Sequence, residues 1–339
     1  MNLLNCAGGL WDRSIGRLLE HWLGTAPSAD LHAPTALTIE QFDRAAGVLL
    51  GTATGDALGA GYEFTFPTVD TVIDMVGGGA FRWEPGEWTD DTSMAIAIAS
   101  AAADFGGLNT TEALDAVAAN FDTWRKSRPK DIGKQTSRVL RQPSRNAAHM
   151  HARANSIPGR RAGNGSLMRT APVALAHLDN AESCAAAAAS VSSLTHTDPR
   201  AEQACVLWTL AIRHAVLHGT YDGVREALSY VDADFWAPVL DQAESSRRPR
   251  KDFPKNGWVV HALQTAWWAI THTDNLPAAL ELAVRAGSDT DTTAAIAGGL
   301  LGARHGAAAV PGQWRAKLHG YPGYQADDLV NLAHRIVNR

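Results

Sequence analysis

Gly51-Thr52-Ala53-Thr54-Gly55-Asp56-Ala57-Leu58-Gly59 is the stretch with the strongest consequences for the fold. It follows Thr38-Ile39-Glu40-Gln41, which predicts a helix start, because a threonine oxygen can accept the free N–H groups of a first turn. Glycines four residues apart remove the side chains from one helix face, so a second backbone can approach closely. The stretch contains one carboxylate, Asp56, and Glu63 follows shortly after it. For Asp56 the sequence favours a buried capping or hydrogen-bonding role.

Two acidic clusters lie far apart in the chain, at Thr89-Asp90-Asp91-Thr92 and Asp289-Thr290-Asp291-Thr292-Thr293, and each leads into a run of small apolar residues. One oxygen is enough to cap a helix, yet each cluster offers two carboxylates. Adjacent buried carboxylates repel, and one normally takes up a proton unless a cation lies between them. Neither cluster has a cysteine or histidine beside it, which argues against zinc and favours Mg²⁺ or Mn²⁺. The clusters alone leave metal binding and helix capping open.

The remaining pattern from residue 39 onward is helical, with no convincing strand series and no fixed-length repeat. It predicts an all-α fold. Residues 1–38 stand apart as an N-terminal extension: apolar residues from Trp11 to Leu23 have helical spacing, and Ala26-Pro27 and Ala33-Pro34 indicate a linker.

Composition excludes several classes of protein. The chain has 339 residues, 45% of them hydrophobic and 19% charged, and its net charge of −5 gives no general attraction to nucleic acid. Its three widely spaced cysteines indicate a reducing compartment rather than a disulfide framework. No apolar run is long enough to span a bilayer. We therefore expect a cytoplasmic protein, a monomer, with no membrane or specific nucleic-acid partner.

Residues 121–170 contain twelve Lys and Arg against two Asp. Such an excess indicates either a solvated basic face or attraction of a phosphorylated ligand. Asp131 stands alone among these cations, either in a salt bridge or as a substrate-reading carboxylate. Gly163-Asn164-Gly165-Ser166-Leu167-Met168-Arg169 can converge its backbone N–H groups before a helix, an arrangement that binds phosphate. His196 lies in a polar turn, where a capping role is commoner than a catalytic one.

Taken together, these stretches resemble the ADP-ribosylglycohydrolase family. The resemblance runs in the family's order from about residue 42 to the C-terminus. Its motifs are Gly51–Gly59 with Glu63-Phe64, Trp88–Met94, Gly163–Arg169, Thr195-His196 and Asp289–Thr292. It implies a compact, single-domain, orthogonal helical bundle over residues 39–339. Ser288, where many members have a second glycine, and the N-terminal extension depart from the pattern.

The resemblance also implies a centre of two divalent cations, Mg²⁺ or Mn²⁺. Matching the motifs residue by residue gives the ligands Thr89, Asp90, Asp91, Asp289, Asp291 and Thr292. It gives the ADP-ribose-binding positions Gly163, Asn164, Gly165, Ser166, Met168 and His196.

The implied reaction is hydrolysis of the bond between C1″ of ADP-ribose and a protein side chain. Paired cations would hold the ribose hydroxyls and orient a water, and a carboxylate would take its proton. That base would be a metal-bridging aspartate, Asp91 or Asp289, with Glu63 as the rival.

Lys130-Asp131-Ile132-Gly133 resembles a segment of the arginine-cleaving branch, where an aspartate faces the guanidinium. ADP-ribosyl-arginine in a modified protein is therefore the first expected substrate. Serine-linked ADP-ribose, O-acetyl-ADP-ribose and an ADP-ribosylated base stay open, and so does a non-catalytic ADP-ribose reader.

Overall fold

The structure is a computed structural model that describes residues 36–159 and 162–339. The helix expected near the N-terminus lies outside the described residues, and the boundary at residue 38 stays a prediction. The longer helices are Ile39–Gly59, Asp90–Phe105, Thr111–Lys126, Ala147–Ser156, Ala181–Ser193, Pro199–His218, Ala233–Ser245, Val259–Thr271, Leu276–Ala286, Thr290–His305 and Ala326–Val337.

Short helical segments connect these helices. The α-helical ones are Lys134–Val139, Pro172–Ala176, Gly223–Glu226, Pro249–Asp252 and Gly312–Arg315, and the 3-10 turns are Ala60–Tyr62, Asn164–Arg169, Ala227–Tyr230 and Ala307–Ala309. Within the described residues the strands are only His319–Gly320 and Tyr324–Gln325, an antiparallel pair. The prediction of an all-α fold is confirmed. None of the described helices combines the length and apolar character needed to cross a bilayer.

Two helices form the centre of the fold, and they touch through their backbones. We call Ile39–Gly59 the glycine helix and Thr290–His305 the second acid helix. They run antiparallel, and a Cβ added at a glycine on one would lie within 3.0 Å of backbone atoms of the other. The facing pairs are Gly47 with Gly302, Gly51 with Gly298, Gly55 with Ala294, and Gly59 with Thr290. Because no side chain separates them, the end of one helix is fixed against the start of the other: Thr290 Oγ1 donates to the Gly59 carbonyl at 2.8 Å.

The first acid helix, Asp90–Phe105, is joined to the glycine helix through Asp56. The buried Asp56 carboxylate accepts bonds from the Thr89 amide at 3.0 Å and from the Thr92 amide and hydroxyl at 2.9 and 2.6 Å. These are free donors of a helix start, so Asp56 has the buried hydrogen-bonding role that the sequence favoured. Three helix ends thus meet at one place.

A shared hydrophobic core surrounds these three helices, and polar bonds tie its members together. Pro199–His218 packs on the second acid helix, where the buried Trp208 indole donates to the Ile296 carbonyl at 2.9 Å. Bonds of this kind satisfy polar groups inside the core and fix the depth at which each helix lies.

Candidate metal centre and ligand turn

The acidic residues meet in two overlapping groups. Carboxylate oxygens of Asp56, Asp91 and Asp291 lie within 4.8 Å of one another, and so do oxygens of Glu63, Asp289 and Asp291. Asp291 belongs to both groups. Asp91 and Asp291 are in the first turns of the two acid helices, where the helix dipole favours negative charge. The two clusters separated in sequence therefore form one acidic centre.

Burial makes ionisation of this centre unfavourable. It raises the pKa of Glu63 to about 9, and the charges of Asp289 and Asp131 add to the effect. It raises the pKa of Asp90 to about 8 and holds the pKa values of Asp91 and Asp291 well above their usual range. Carboxyls in this position stay neutral unless positive charge offsets their repulsion.

Two carboxylate oxygens in the centre are buried without a hydrogen-bond partner in the described part of the chain: Asp91 Oδ1 and Glu63 Oε2. The other oxygen of Asp91 accepts from the Thr89 hydroxyl at 2.8 Å and from the Thr292 hydroxyl at 3.5 Å. Buried polar atoms are normally satisfied, so unpartnered oxygens among grouped carboxylates fit the donor set of a hard divalent cation.

Asp289 is held by two asparagines. The side-chain amide of Asn164 donates to Asp289 Oδ2 at 2.8 Å and to the Asn256 carbonyl at 2.9 Å. Asn256 accepts from the Asp289 amide at 3.2 Å and donates to the Gly287 carbonyl at 2.8 Å. Asn164 was expected to bind ADP-ribose, and Asn256, which has no motif around it, was not expected at the site.

Asp90 and Asp131 lie beside the grouped carboxylates. Asp90 belongs to neither group of three; its Oδ2 accepts from the Gly133 amide at 3.4 Å. That bond brings the segment containing Asp131 to the centre, and the charge of Asp131 contributes to the raised pKa values of both Asp90 and Glu63. Asp131 is half-buried, so its carboxylate lies at the solvent-facing edge of the acidic centre, which we call the rim.

The turn that begins at Gly163 lies against the ring of His196. A Cβ at Gly165 would come to 3.2 Å from His196 Nε2, and one at Gly163 to 3.5 Å. Arg169 donates to Thr195 Oγ1 at 2.6 Å, and the Thr195 hydroxyl also shares a hydrogen bond with His196 Nδ1 at 2.7 Å. Burial and the charge of Arg169 lower the pKa of His196 to about 3. The ring is therefore neutral, and its Nε2 lies towards the turn.

The other predicted residues of this turn face inward. Met168 belongs to the hydrophobic core, and the Ser166 hydroxyl accepts from Ser192 at 2.9 Å. Gly163 and Gly165 are partly exposed. A ligand at this turn would therefore contact its backbone and the two glycines. The side-chain roles expected for Ser166 and Met168 stay predictions.

An all-α bundle whose helix ends gather carboxylates beside a glycine turn is the arrangement implied by the resemblance to a family of hydrolases. The family model for ADP-ribosylglycohydrolase matches residues 37–339. The chain therefore belongs to the ADP-ribosylglycohydrolase family and is an enzyme, as its motifs predicted.

Relatives support the same assignment. The chain is 31% identical over 318 residues to a protein of Serratia proteamaculans named ADP-ribosylarginine hydrolase Tri1. The alignment covers 93% of this chain and 83% of that protein. It is 32% identical over 285 residues to the ADP-ribosyl-[dinitrogen reductase] glycohydrolase of Rhodospirillum rubrum. That alignment covers 81% of this chain and 90% of the relative. A solved structure described as an ADP-ribosylglycohydrolase-related protein complex matches with a TM-score of 0.72 and 28% identity, covering 89% of this chain and 99% of that one.

Proposed function

We propose that the protein removes ADP-ribose from arginine side chains of modified proteins. The observation that carries this proposal is the position of Asp131, half-buried at the rim and close enough to Asp90 and Glu63 to raise their pKa values. A carboxylate there is a bidentate partner for the guanidinium of the leaving arginine. The name of the Serratia relative, an ADP-ribosylarginine hydrolase, supports the same linkage.

We propose that two divalent cations, Mg²⁺ or Mn²⁺, serve the reaction. The unpartnered oxygens of Asp91 and Glu63 and the shared position of Asp291 support this. The ligands would be Thr89, Asp90, Asp91, Asp289, Asp291 and Thr292, and the structure adds Asp56 and Glu63 as candidates. When bound, such cations would supply positive charge to orient the ribose hydroxyls and to activate a water.

The chain's own residues would bind the substrate and move the proton. The neutral His196 ring and the backbone of the Gly163 turn would bind the ADP-ribose. Asp91 or Asp289 would accept the proton of the attacking water, with Glu63 as the rival base. Asn164 keeps Asp289 in one orientation through its 2.8 Å bond. Asp131 would hold the guanidinium while C1″ becomes positive.

The linkage is tested with Asp131→Ala. We expect cleavage of ADP-ribosyl-arginine to fall by about 100-fold or more, since a charge-assisted bidentate pair is lost. Release of serine-linked ADP-ribose and of O-acetyl-ADP-ribose should fall much less. Asp131→Asn, which keeps the shape and removes the charge, is the matched variant. Equal losses on all three substrates would contradict the assigned role of Asp131.

The metal centre is tested with Asp90→Ala and Asp291→Ala. Metal content of the purified variants, measured by mass spectrometry after dialysis against Mg²⁺ or Mn²⁺, should fall below that of the parent protein, because each variant removes a carboxylate from the proposed centre. The larger loss is expected for Asp291→Ala, since Asp291 belongs to both groups. Unchanged stoichiometry in both variants would refute the centre.

A further inference from the structure

Beside the acidic centre, one stretch of surface exposes large apolar side chains. We call it the docking face: the loop Phe64–Val76 with the adjoining segment Arg247–Lys251. Relative exposure is 86% for Val69, 82% for Val72, 62% for Phe64 and 56% for Phe66. Isolated exposed apolar residues are ordinary, but several in one loop mark an interaction surface.

The second part of the docking face is strongly basic. A cavity of about 450 Å³ is lined by Arg247, Arg248, Arg250, Lys251, Arg285 and Trp268. Arg247, Arg248 and Lys251 are exposed, and their side chains form no hydrogen bond or ion pair within residues 36–159 and 162–339. In a protein of net charge −5, this cluster creates a local positive potential.

Two other arginines join the basic and apolar parts. Arg250 donates to the Pro67 carbonyl at 2.8 Å and lies over the Phe66 ring at 5.3 Å. Arg285 donates to the Thr68 carbonyl at 2.8 Å and to the Thr71 carbonyl at 2.7 Å. The loop is therefore a supported element, and a partner that binds it need not order it first.

The docking face is continuous with the acidic centre. The Phe64 amide donates to the Ser288 carbonyl at 2.6 Å, and the Ser288 amide donates to the Thr65 carbonyl at 2.9 Å. These two bonds tie the base of the loop to the residues next to Glu63 and Asp289. A macromolecule whose modified side chain enters the centre would therefore have this face within reach.

We infer that the docking face binds the protein that carries the ADP-ribosyl group, through acidic and apolar residues flanking its modified arginine. The inference rests on the proposed function and adds the surface on which that substrate is selected. Aromatic, aliphatic and arginine side chains together are typical of protein interfaces, and the positive charge selects an acidic partner. A small anion would need the basic cavity but not the exposed valines.

The test compares a modified protein with free ADP-ribosyl-arginine as substrates of the full chain. The double variant Arg247→Glu/Lys251→Glu should raise KM for an acidic modified protein by about tenfold, because each reversal replaces attraction by repulsion. Val69→Asp/Val72→Asp should raise the same KM. Neither variant should change kcat/KM for free ADP-ribosyl-arginine by more than about twofold, and the KM increase of the charge variant should shrink at high salt.

Arg335→Glu is the matched control, with one charge reversal on the surface. Arg335 pairs with Asp104, fourteen residues after Asp90 along the first acid helix, so about 20 Å from the centre. It should leave both substrates unaffected.

Equal losses on both substrates, or no loss on the modified protein, would overturn the docking face. If inorganic phosphate inhibits cleavage of both substrates by the parent protein and Arg247→Glu/Lys251→Glu abolishes that inhibition, the cavity binds a small anion and the proposal is wrong. A parent protein inactive on both arginine-linked substrates would instead reject the proposed function.

Discussion

Ser288 has a φ of +67°, in the left-handed region that favours glycine. It follows Gly287, with a φ of +81°, and immediately precedes Asp289. The two backbone bonds between Ser288 and the Phe64–Thr65 segment keep this turn in place. The residue that departs from the family pattern thus lies at a strained position next to the centre.

Replacing Ser288 by glycine should stabilise the protein. The left-handed conformation costs a residue with a Cβ about 1–2 kcal/mol, and the greater freedom of glycine in the unfolded chain cancels part of the gain. We expect a net increase of about 0.5–1 kcal/mol in the free energy of unfolding, measured by urea denaturation in EDTA. Ser288→Ala keeps the Cβ and should show no gain. An equal gain from alanine would show that backbone strain is not the cause.

Asn256 is the residue whose importance only the three-dimensional arrangement reveals. Asn256 forms hydrogen bonds with Gly287 and Asp289, which lie more than thirty positions further along the chain. A local sequence pattern cannot predict such bonds, because it does not show which loop a buried asparagine will contact. The motifs around Asp91, Asp289 and His196, in contrast, could be recognised in the chain directly, and the structure brings Asp91 and Asp289 into one acidic centre with His196 beside the Gly163 turn.

Asn256→Ala should loosen the Asp289 turn. Removing a residue that orients a metal ligand typically lowers metal affinity 10- to 100-fold, and we expect a loss of about that size for Mg²⁺ or Mn²⁺. Isothermal titration measures it. Gln264→Ala is the control, because the buried Gln264 amide also makes two bonds, to Val239 and Gln242. If both variants weaken metal binding equally, the effect is one of general stability.

At the scale of elements, glycine spacing predicted that a second backbone would approach the helix containing Gly51, Gly55 and Gly59, and this is what the structure shows. The spacing did not identify the partner, because local sequence restricts one helix face without specifying the surface it meets. Gly298 and Gly302 complete the contact from the far end of the chain.

Gly55→Ala should destabilise the protein, although alanine normally favours a helix over glycine by about 1 kcal/mol. The added Cβ would overlap the Ala294 carbonyl, which is backbone and cannot rotate away. We expect a loss of about 3 kcal/mol or more, at the upper end of overpacking effects. The control is Gly312→Ala, where a Cβ meets no atom of the described residues within 4 Å. Denaturant unfolding compares them, and a stable Gly55→Ala protein would show that the helices are not in backbone contact.

At the scale of the whole molecule, the centre exists only because three helix ends meet. The family resemblance implied that the two acidic clusters supply ligands to one metal centre. The sequence did not predict that Asp56 would join them, because it favoured a buried capping or hydrogen-bonding role for this residue. Asp56 accepts the amides of Thr89 and Thr92 at the start of the first acid helix, and it also lies within 4.8 Å of Asp91 and Asp291. The expected monomeric state and cytoplasmic location stay predictions.

This convergence makes the stability of the metal-free protein depend on pH in a definite direction. Burial raises the folded-state pKa of Glu63 to about 9 and that of Asp90 to about 8, above the values near 4 in the unfolded chain. Between about pH 4 and pH 9 the folded state binds more protons than the unfolded state. The stability of the metal-free protein therefore falls as pH rises through this range. Divalent cations favour the ionised carboxylates and oppose this fall.

We therefore expect Mg²⁺ to raise Tm relative to EDTA by a larger amount at about pH 9 than at about pH 6, because protons compete with the cation at the lower pH. Differential scanning fluorimetry at matched ionic strength measures the four conditions. Asp291→Asn removes the carboxylate common to both groups, so it should reduce both the fall of Tm with pH in EDTA and the increase produced by Mg²⁺. An increase of Tm by Mg²⁺ that is the same at both pH values would mean that the cation binds elsewhere, because a ligand of these carboxylates must displace their protons.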